Sequence, residues 1–200
     1  MRRSDSLPPI QDGKVPQNLT ELWGAYDPRA EALEAEVTKE WEQDGIVCRV
    51  IRYRIGTFKG QPATMAAFYA LPKGAKGLPA ILQIHGGGQS ASLSAVVTNA
   101  KLGYASLSLN WGGNKMTLAD GKIYDGLNTD WGALDATHPP QRNKVNHFAG
   151  GTAPDAFTLD TVDSPRNDNW FLVTLAARRG LTFLQSRPEV DPAGLRCAVL

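Results

Sequence analysis

The residues best suited to chemistry form a glycine-rich stretch in the middle of the chain, His85-Gly86-Gly87-Gly88-Gln89. It follows a short apolar run, residues 79–84, which is typical of a strand buried on both faces of a sheet. Glycine lets the backbone turn sharply and come close to a ligand without a side-chain clash. Such a loop after a buried strand can bind a phosphate, bind a dinucleotide or hold the negative charge of a reacting carbonyl oxygen.

Two of these three interpretations lack a residue that they need. A phosphate loop of the Walker type ends in Gly-Lys followed by Ser or Thr, and this stretch contains no lysine. A dinucleotide loop reads Gly-x-Gly-x-x-Ala, which Gly86, Gly88 and Ala91 satisfy. It also requires an acidic residue at the end of the next strand, and Asn110 stands there instead. We therefore exclude the phosphate loop and expect no NAD binding.

The third interpretation is an oxyanion hole. Ester hydrolysis builds negative charge on the former carbonyl oxygen, and backbone N–H groups aimed at that oxygen stabilise it. A strand that ends in His-Gly-Gly-Gly is a form that this device takes in esterases. The nearest match to the nucleophile motif Gly-x-Ser-x-Gly is the run 88–92, which lacks the second glycine. Ser90 is therefore expected to cap a helix rather than to attack a substrate.

The elements before this loop predict an antiparallel opening to the sheet. Residues 1–28 are rich in Pro, Gly, Asn and Gln and are expected to be an extended lead-in. Residues 33–41 alternate apolar and polar side chains, and Asp44-Gly45 is a hairpin signal. The runs 46–55 and 63–71 continue the strand pattern. An antiparallel hairpin followed by a third strand is the predicted arrangement.

The elements after the loop predict parallel strands. A helix with one apolar face is expected over 93–100, capped by Ser90 or Ser92 and ended by Gly103. A second buried strand follows at 104–109. Strand, loop, helix and strand form a βαβ unit, so we predict an α/β fold with a mixed sheet.

Residues 110–166 have no clear periodicity and are expected to form a long covering loop. Trp111 follows a strand end, where α/β folds bind ligands, so it is a candidate substrate-binding wall, as is Trp131 in the loop. Core packing is the alternative for Trp111. His138 and His147 lie in the same stretch with too few close ligands for a metal site, and we expect no metal.

A helix is predicted to resume after Ser164-Pro165, a capping residue with a proline in the first turn, and to stop at Arg187-Pro188. Its wide apolar face is typical of a helix packed on a sheet, and Arg178-Arg179 is expected to lie on its solvated face. Asp191-Pro192 is expected to turn the chain, and one more apolar strand begins at 195–200.

Taken together, these stretches resemble the N-terminal part of an α/β-hydrolase domain of the acetyl-xylan-esterase and dienelactone-hydrolase-like group. The resemblance covers residues 33–200 and rests on the opening hairpin, on PAILQIHGGGQS, on ASLSLNWGG and on the closing stretch from NDNW to CAVL. It implies that Gly87 and Gly88 supply the oxyanion N–H groups and that His85 is structural, because the triad order in this fold is Ser, Asp or Glu, then His. It also implies hydrolysis of a carboxylic ester, such as an acetyl ester on a carbohydrate, without a cofactor.

The closing strand of this fold leads into Gly-x-Ser-x-Gly, which these 200 residues do not contain. The resemblance therefore implies that the nucleophile, acid and base lie beyond Leu200, and that the domain is truncated before its nucleophile elbow. We expect the chain alone to be inactive. A buried strand without its later neighbours becomes an edge strand, so we also expect self-association. A non-catalytic binding or interaction module of hydrolase-like fold is the alternative, and a peptidase of the same fold stays open.

Composition and charge fit a single domain, with 1–28 as lead-in and 29–200 as the domain. Lys plus Arg number 21 against 20 for Asp plus Glu, which argues against nucleic acid or an anionic membrane held by bulk charge. Cys48 and Cys197 show no metal or redox spacing and are expected to be buried thiols. The basic N-terminus has no apolar core, so we expect a soluble protein without a signal peptide, cytoplasmic by default, although a secreted parent stays open.

Overall fold

A tight antiparallel hairpin opens the sheet. In a computed structural model of the chain, β1 (Glu36–Gln43) and β2 (Ile46–Phe58) are joined at Asp44-Gly45, and these two residues have φ of 49° and 75°. A two-residue hairpin turn of type I′ requires this left-handed pair, and Asp-Gly is a favoured sequence for it. The predicted hairpin is confirmed, although β1 begins at Glu36 rather than at Leu33.

The structure describes residues 7–8, 10–58, 61–86, 89–111, 115–118, 120–124, 126–130, 164–167 and 169–199. Three strands follow the hairpin in sequence: β3 (Gln61–Pro72), β4 (Leu78–Ile84) and β5 (Ala105–Leu109). The helix α1 (Leu19–Trp23) precedes the sheet, and α2 (Leu93–Lys101) connects β4 to β5. Among the residues that the structure describes, no helix is long and apolar enough to cross a membrane.

The remaining elements are the short strands β6 (Met116–Thr117) and β7 (Ile123–Tyr124), a 3-10 turn at Pro165–Asn167, α3 (Asn169–Gln185) and β8 (Val190–Val199). The main sheet has the order β1-β2-β3-β5-β4-β8. The pairs from β1 to β5 are antiparallel, whereas β4 is parallel to both β5 and β8. The predicted mixed α/β sheet is therefore confirmed.

One face of the sheet is covered by α2. Ser92 is the N-cap, and its Oγ accepts a hydrogen bond from the backbone N–H of Ala95 at 3.2 Å. Cys48 is fully buried in the cluster beneath the helix, and burial raises the pKa of its thiol to about 11. Alternate residues of the strands and one stripe of the helix build this cluster: Ile46, Val50, Ala66, Phe68, Ala70, Leu93, Val96, Val97 and Ala100.

The opposite face of the sheet is covered by α3. The Tyr53 hydroxyl donates a hydrogen bond to the Ala176 carbonyl at 2.8 Å, which ties β2 to the helix. At Gly180 the helix comes so close to the sheet that a Cβ atom would lie 2.9 Å from the Tyr53 hydroxyl oxygen and 3.2 Å from Leu82 Cδ1. The glycine therefore sets the distance at which α3 packs.

Arg179 corrects a prediction, because it is fully buried and not on a solvated face. Its guanidinium donates hydrogen bonds to four backbone carbonyls, at 2.7 Å to Arg54, 3.0 Å to Pro28, 3.2 Å to Glu31 and 2.8 Å to Ala32. Five N–H donors in a planar fork suit an array of carbonyl oxygens. The side chain thus fastens the chain before β1 to the helix and the sheet.

The lead-in contains a helical turn where the sequence indicated extended chain. α1 is capped by Asn18, whose Oδ1 accepts from the N–H of Glu21 at 2.9 Å. The Glu21 carboxylate in turn accepts from the backbone N–H of Gln17 at 2.9 Å. The first bond satisfies one orphan donor of the helix, and the second fixes the chain before the cap.

A second arginine and an aromatic cluster hold this lead-in against α3. Arg166 is buried and donates to the carbonyls of Leu22 at 2.9 Å and Pro8 at 3.1 Å. Burial lowers the pKa of its guanidinium. The Trp23 ring lies 5.2 Å from Phe171. The described part of residues 7–28 is therefore packed onto the domain rather than standing free.

The stretch 110–166 is not wholly without regular structure. β6 and β7 pair antiparallel, with Met116 opposite Tyr124. Asp130 forms an isolated bridge with Thr64, which returns the chain to the edge of β3. The covering loop therefore includes a small hairpin that sequence periodicity did not reveal, because strands of two residues are too short to show a period.

The final strand begins earlier than predicted. Its pairing with β4 runs from Val190 to Val199 but is interrupted after Val190 and resumes at Leu195. Asp191 Oδ1 accepts from the N–H of Ala193 at 3.0 Å, and this bond stabilises the unpaired segment between Val190 and Leu195. The predicted turn at Asp191-Pro192 is thus an interruption within β8. Among the described strands, β8 is one edge of the sheet and β1 is the other.

Candidate active site

The candidate site lies where three neighbouring parallel strands end. β4 lies between β5 and β8, and the register pairs Gln83 with Ser108 and Ile84 with Val199. The strands run in one direction, so their carboxyl ends meet at one edge of the sheet, where α/β proteins bind ligands. The glycine loop leaves β4 at this edge, one strand spacing, about 4.8 Å, from the end of β8.

His85 is the first residue after β4, and it is buried, with 4 % exposure. Its ring stacks on Trp111 with 5.1 Å between centroids and 8° between planes. Its Nδ1 lies 2.7 Å from the Gly86 carbonyl oxygen, so Nδ1 carries the proton and donates it. Burial lowers the pKa of the imidazole, and the bond to the Gly86 carbonyl opposes this. A neutral ring held by its own loop supports a structural role.

Trp111 packs under His85 and is 3 % exposed. Its Nε1 donates to the His85 carbonyl at 2.7 Å, and its ring lies 5.2 Å from that of Trp170. Trp170 is 41 % exposed, so the aromatic cluster of His85, Trp111 and Trp170 reaches the protein surface. The structure places Trp111 in the core beneath the site, and its role as a substrate wall stays a prediction.

The segment after the glycine loop is held by side chains of β5 and its end. The N–H of Ala91 donates to Asn110 Oδ1 at 2.9 Å, and the N–H of Ser92 donates to Ser108 Oγ at 3.0 Å. Asn110 is fully buried, and its Nδ2 donates to Asn128 Oδ1 at 2.6 Å. The position where a dinucleotide loop would require an acid is occupied here by an amide that positions the loop.

A cavity of about 780 Å³ opens beside the same edge, on the α2 side of the sheet. Amide and hydroxyl side chains form most of its described wall, together with His85. Four apolar side chains complete it: Ala91, Leu93, Val97 and Leu118. The polar members are Gln43, Gln83, Gln89, Ser90, Ser92, Ser94, Thr98 and Thr117.

The predicted site residues are only partly covered by the described ranges. Gly87, Gly88 and Trp131 lie outside them, as do His138 and His147. Within those ranges, no group of three or more His, Cys, Asp and Glu side chains is arranged to hold a metal ion. The roles of Gly87, Gly88 and Trp131 therefore stay predictions.

Sequence reasoning missed Asn110 and Gln83 as residues of the site, and it missed Trp170 as the exposed partner of Trp111. The available signal was a polar residue inside, or directly after, a short apolar strand. Gln83 interrupts the run 79–84, and Asn110 ends the run 104–109. A buried amide in such a place needs a hydrogen-bond partner, which marks it for attention.

Comparison with known proteins gives a match in structure only. No protein-family model matches the sequence, and no curated protein matches it at a significant level. An acetyl xylan esterase from Paenibacillus sp. R4 superimposes with a TM-score of 0.56 and 18 % identity, over 86 % of this chain and 47 % of that chain. Acetyl xylan esterase 1 from Thermoanaerobacterium sp. JW/SL YS485 superimposes with a TM-score of 0.60 and 17 % identity, over 92 % of this chain and 51 % of that chain.

The chain shares the fold of these esterases. The predicted resemblance to the acetyl-xylan-esterase group is therefore confirmed at the level of the fold. The chain spans about half the length of the solved structures that it resembles. What the whole enzymes do is a property of those proteins, and its transfer to this chain is a proposal.

Proposed function

We propose that this chain supplies the first half of a serine carboxylic-ester hydrolase, with acetyl esters of carbohydrates as the substrate class. The pairing of Ile84 with Val199 carries the proposal. A residue placed directly after β8 lies one strand spacing, about 4.8 Å, from the residue directly after β4. Position 200 is a leucine, so we place the nucleophilic serine in the turn that follows it, beside the glycine loop, which is the arrangement that acyl transfer needs.

In this mechanism Gly87 and Gly88 donate their backbone N–H groups to the oxyanion. The serine beyond Leu200 attacks the ester carbonyl, and a histidine further along the chain takes the serine proton and passes it to the leaving alcohol. Trp131 borders the acyl or sugar pocket, and Trp111 supports the site from the core beneath it. The chemistry requires neither a metal nor a cofactor.

Residues of this chain also prepare the loop for its role. The His85 Nδ1–H donates to the Gly86 carbonyl oxygen, so the ring helps to shape the loop. Asn110 and Ser108 fix the segment that follows, through the bonds to Ala91 and Ser92. Preorganised donors of this kind contribute more than mobile ones, because they need no rearrangement during the reaction.

The test uses the product of the reading frame continued past Leu200, in which we expect Gly-x-Ser-x-Gly close after that residue. In that protein Gly88→Pro removes one backbone N–H and should lower kcat for p-nitrophenyl acetate about 10²–10³-fold. Gly88→Ala keeps the N–H and adds only a methyl group, so as the matched control it should lose clearly less activity than Gly88→Pro. An equal loss in both variants would contradict the oxyanion role.

A non-catalytic binding module of the same fold is the second candidate. The absence of Gly-x-Ser-x-Gly from the 200 residues favours it. A stop codon directly after Leu200 in the natural gene, together with a stably folded chain, would support the module. A serine motif in the continued frame would support the esterase.

A further inference from the structure

A second groove lies on the α3 side of the sheet, away from the cavity beside the candidate active site. Three separate segments form its wall: residues 28–29 before β1, residues 178–185 of α3 and residues 192–196 of β8. Its volume is about 500 Å³, which is within the range of sites that bind small molecules. Each segment contributes one arginine to this α3 groove: Arg29, Arg178 and Arg196.

The positive charge of the α3 groove is not compensated within the part of the chain that the structure describes. None of the described residues that line it is Asp or Glu. On β2, by contrast, Arg52 pairs with Glu36 at 2.9 Å. Among the described residues, no carboxylate forms an ion pair with the guanidinium of Arg29, Arg178 or Arg196. Three arginines that share one groove without a counter-charge are suited to an anionic ligand.

The two aspartates that adjoin the groove in sequence bond to the backbone of their own turns. Asp27 Oδ1 accepts from the backbone N–H of Arg29 at 2.9 Å. Asp191 Oδ1 accepts from the backbone N–H of Ala193 at 3.0 Å. Neither aspartate lines the groove. Both carboxylates therefore shape the wall and leave the guanidinium groups to face the groove's interior.

Two of the arginines are already held in position. Arg29 Nη2 donates to Gln185 Oε1 of α3 at 2.8 Å. The Arg178 guanidinium lies over the rings of Trp23 and Tyr26, at 4.6 Å and 4.7 Å from their centroids. A guanidinium over an aromatic ring keeps its N–H donors, because the ring contact uses its charge and not its hydrogen bonds. A ligand that binds here therefore has less side-chain freedom to remove.

We propose that the α3 groove binds a phosphate monoester of a small organic molecule. The planar fork of a guanidinium matches two phosphate oxygens at once. A phosphate monoester carries about 1.5 to 2 negative charges at pH 7, so it compensates three arginines better than a carboxylate does. Leu181, Pro192 and Leu195 form an apolar part of the wall, which suits the organic group of the ester.

This inference stands apart from the proposed esterase function. The groove is lined by α3 and β8, whereas the cavity beside the glycine loop is lined by α2 and the segment before it. Binding of a phosphate ester requires neither the oxyanion loop nor a nucleophile. Either inference can therefore fail without the other.

The experiment measures binding of phenyl phosphate to the 200-residue chain by isothermal titration calorimetry, in a buffer of low ionic strength without phosphate. Two other ligands separate the parts of the claim. Inorganic phosphate lacks the apolar group and should bind about tenfold more weakly, as expected for the loss of a partly buried ring. Benzoate keeps the ring but carries a single charge, and it should also bind about tenfold more weakly, because it makes fewer charge-assisted hydrogen bonds.

The variants Arg29→Gln and Arg196→Gln each remove one charge at an exposed position, so the fold and the Tm should be unchanged. Each should weaken Kd for phenyl phosphate about three- to tenfold, the loss of one charge-assisted bond reduced by solvent screening. Arg52→Gln is the matched control, because it makes the same change in net charge at an arginine outside the groove, and it should bind as the wild type does.

Four results would overturn the inference. The wild type does not bind phenyl phosphate, or both groove variants bind it as tightly as the wild type. Arg52→Gln weakens binding as much as the groove variants, which would indicate an effect of overall charge. Inorganic phosphate or benzoate binds as tightly as phenyl phosphate, which would mean that the groove does not select a phosphate monoester.

Discussion

Replacing Arg179 with methionine should destabilise this domain far more than the same change at its neighbour Arg178. Arg179 is fully buried and donates to four backbone carbonyls, three of them in the segment 28–32 before β1. Methionine fills a comparable space but donates nothing. The four carbonyl oxygens then lose their donors together.

The expected loss is about 3–5 kcal/mol in the free energy of unfolding. The Arg54 carbonyl faces a fully buried side chain and Pro28 is itself buried, so the loss of the donor costs about 1–3 kcal/mol at each of these two carbonyls. Glu31 and Ala32 are exposed, so their carbonyls can return to water, and each lost bond there costs about 0.5–1.5 kcal/mol. Removing a buried charge offsets part of the total. At about 2–4 °C per kcal/mol for a chain of this size, Tm should fall by about 10 °C.

Urea unfolding, followed by circular dichroism, measures the difference, and Arg178→Met is the matched control. The Arg178 guanidinium lies 4.6 Å over the Trp23 ring and 4.7 Å over the Tyr26 ring at a partly exposed position. Its loss should cost about 0.5–1 kcal/mol. If the two variants unfold at the same urea concentration, the buried arginine does not fasten the lead-in as described.

Two further predictions concern the two faces of the sheet. Burial lowers the pKa of His85 below its ordinary value of 6.5, so the folded state binds this proton less readily than the unfolded state. The free energy of unfolding should therefore fall as the pH is lowered through 6.5. The variant His85→Gln should show a weaker pH dependence in urea titrations. An NMR titration that gives His85 an ordinary or raised pKa would refute this. Gly180→Ala places a Cβ atom 2.9 Å from the Tyr53 hydroxyl oxygen and should lower the free energy of unfolding by about 1–3 kcal/mol, despite the higher helix propensity of alanine. A stabilised Gly180→Ala variant in the same assay would mean that α3 packs less closely than described.

Local signals in the sequence predicted most of the sheet. The alternation in 33–41 and the Asp44-Gly45 turn specify a hairpin by themselves, because the period of two and the left-handed turn are properties of neighbouring residues. The apolar run 79–84 and the glycines after it likewise indicate a buried strand that ends in an open loop. The structure confirms the buried strand, whose carboxyl end lies where the parallel strands end.

Features that depend on distant partners were not predictable in this way. Arg179 follows another arginine on a helix, a pattern typical of a solvated face, and its burial depends on carbonyls of Pro28 to Ala32 far away in sequence. The role of Asn110 depends on the N–H of Ala91 across a helical connection. No periodicity in the sequence carries such information, since these bonds form only once the sheet has brought the segments together.

Hydrolysis of p-nitrophenyl acetate, measured side by side for two proteins, tests the central claim most directly. One is the 200-residue chain, and the other is the product of the reading frame continued past Leu200. The proposed division of the active site predicts background rates for the first and serine-dependent turnover for the second, abolished when the serine of its Gly-x-Ser-x-Gly is replaced with alanine. Turnover by the 200-residue chain, or a longer product without serine-dependent turnover, would contradict it.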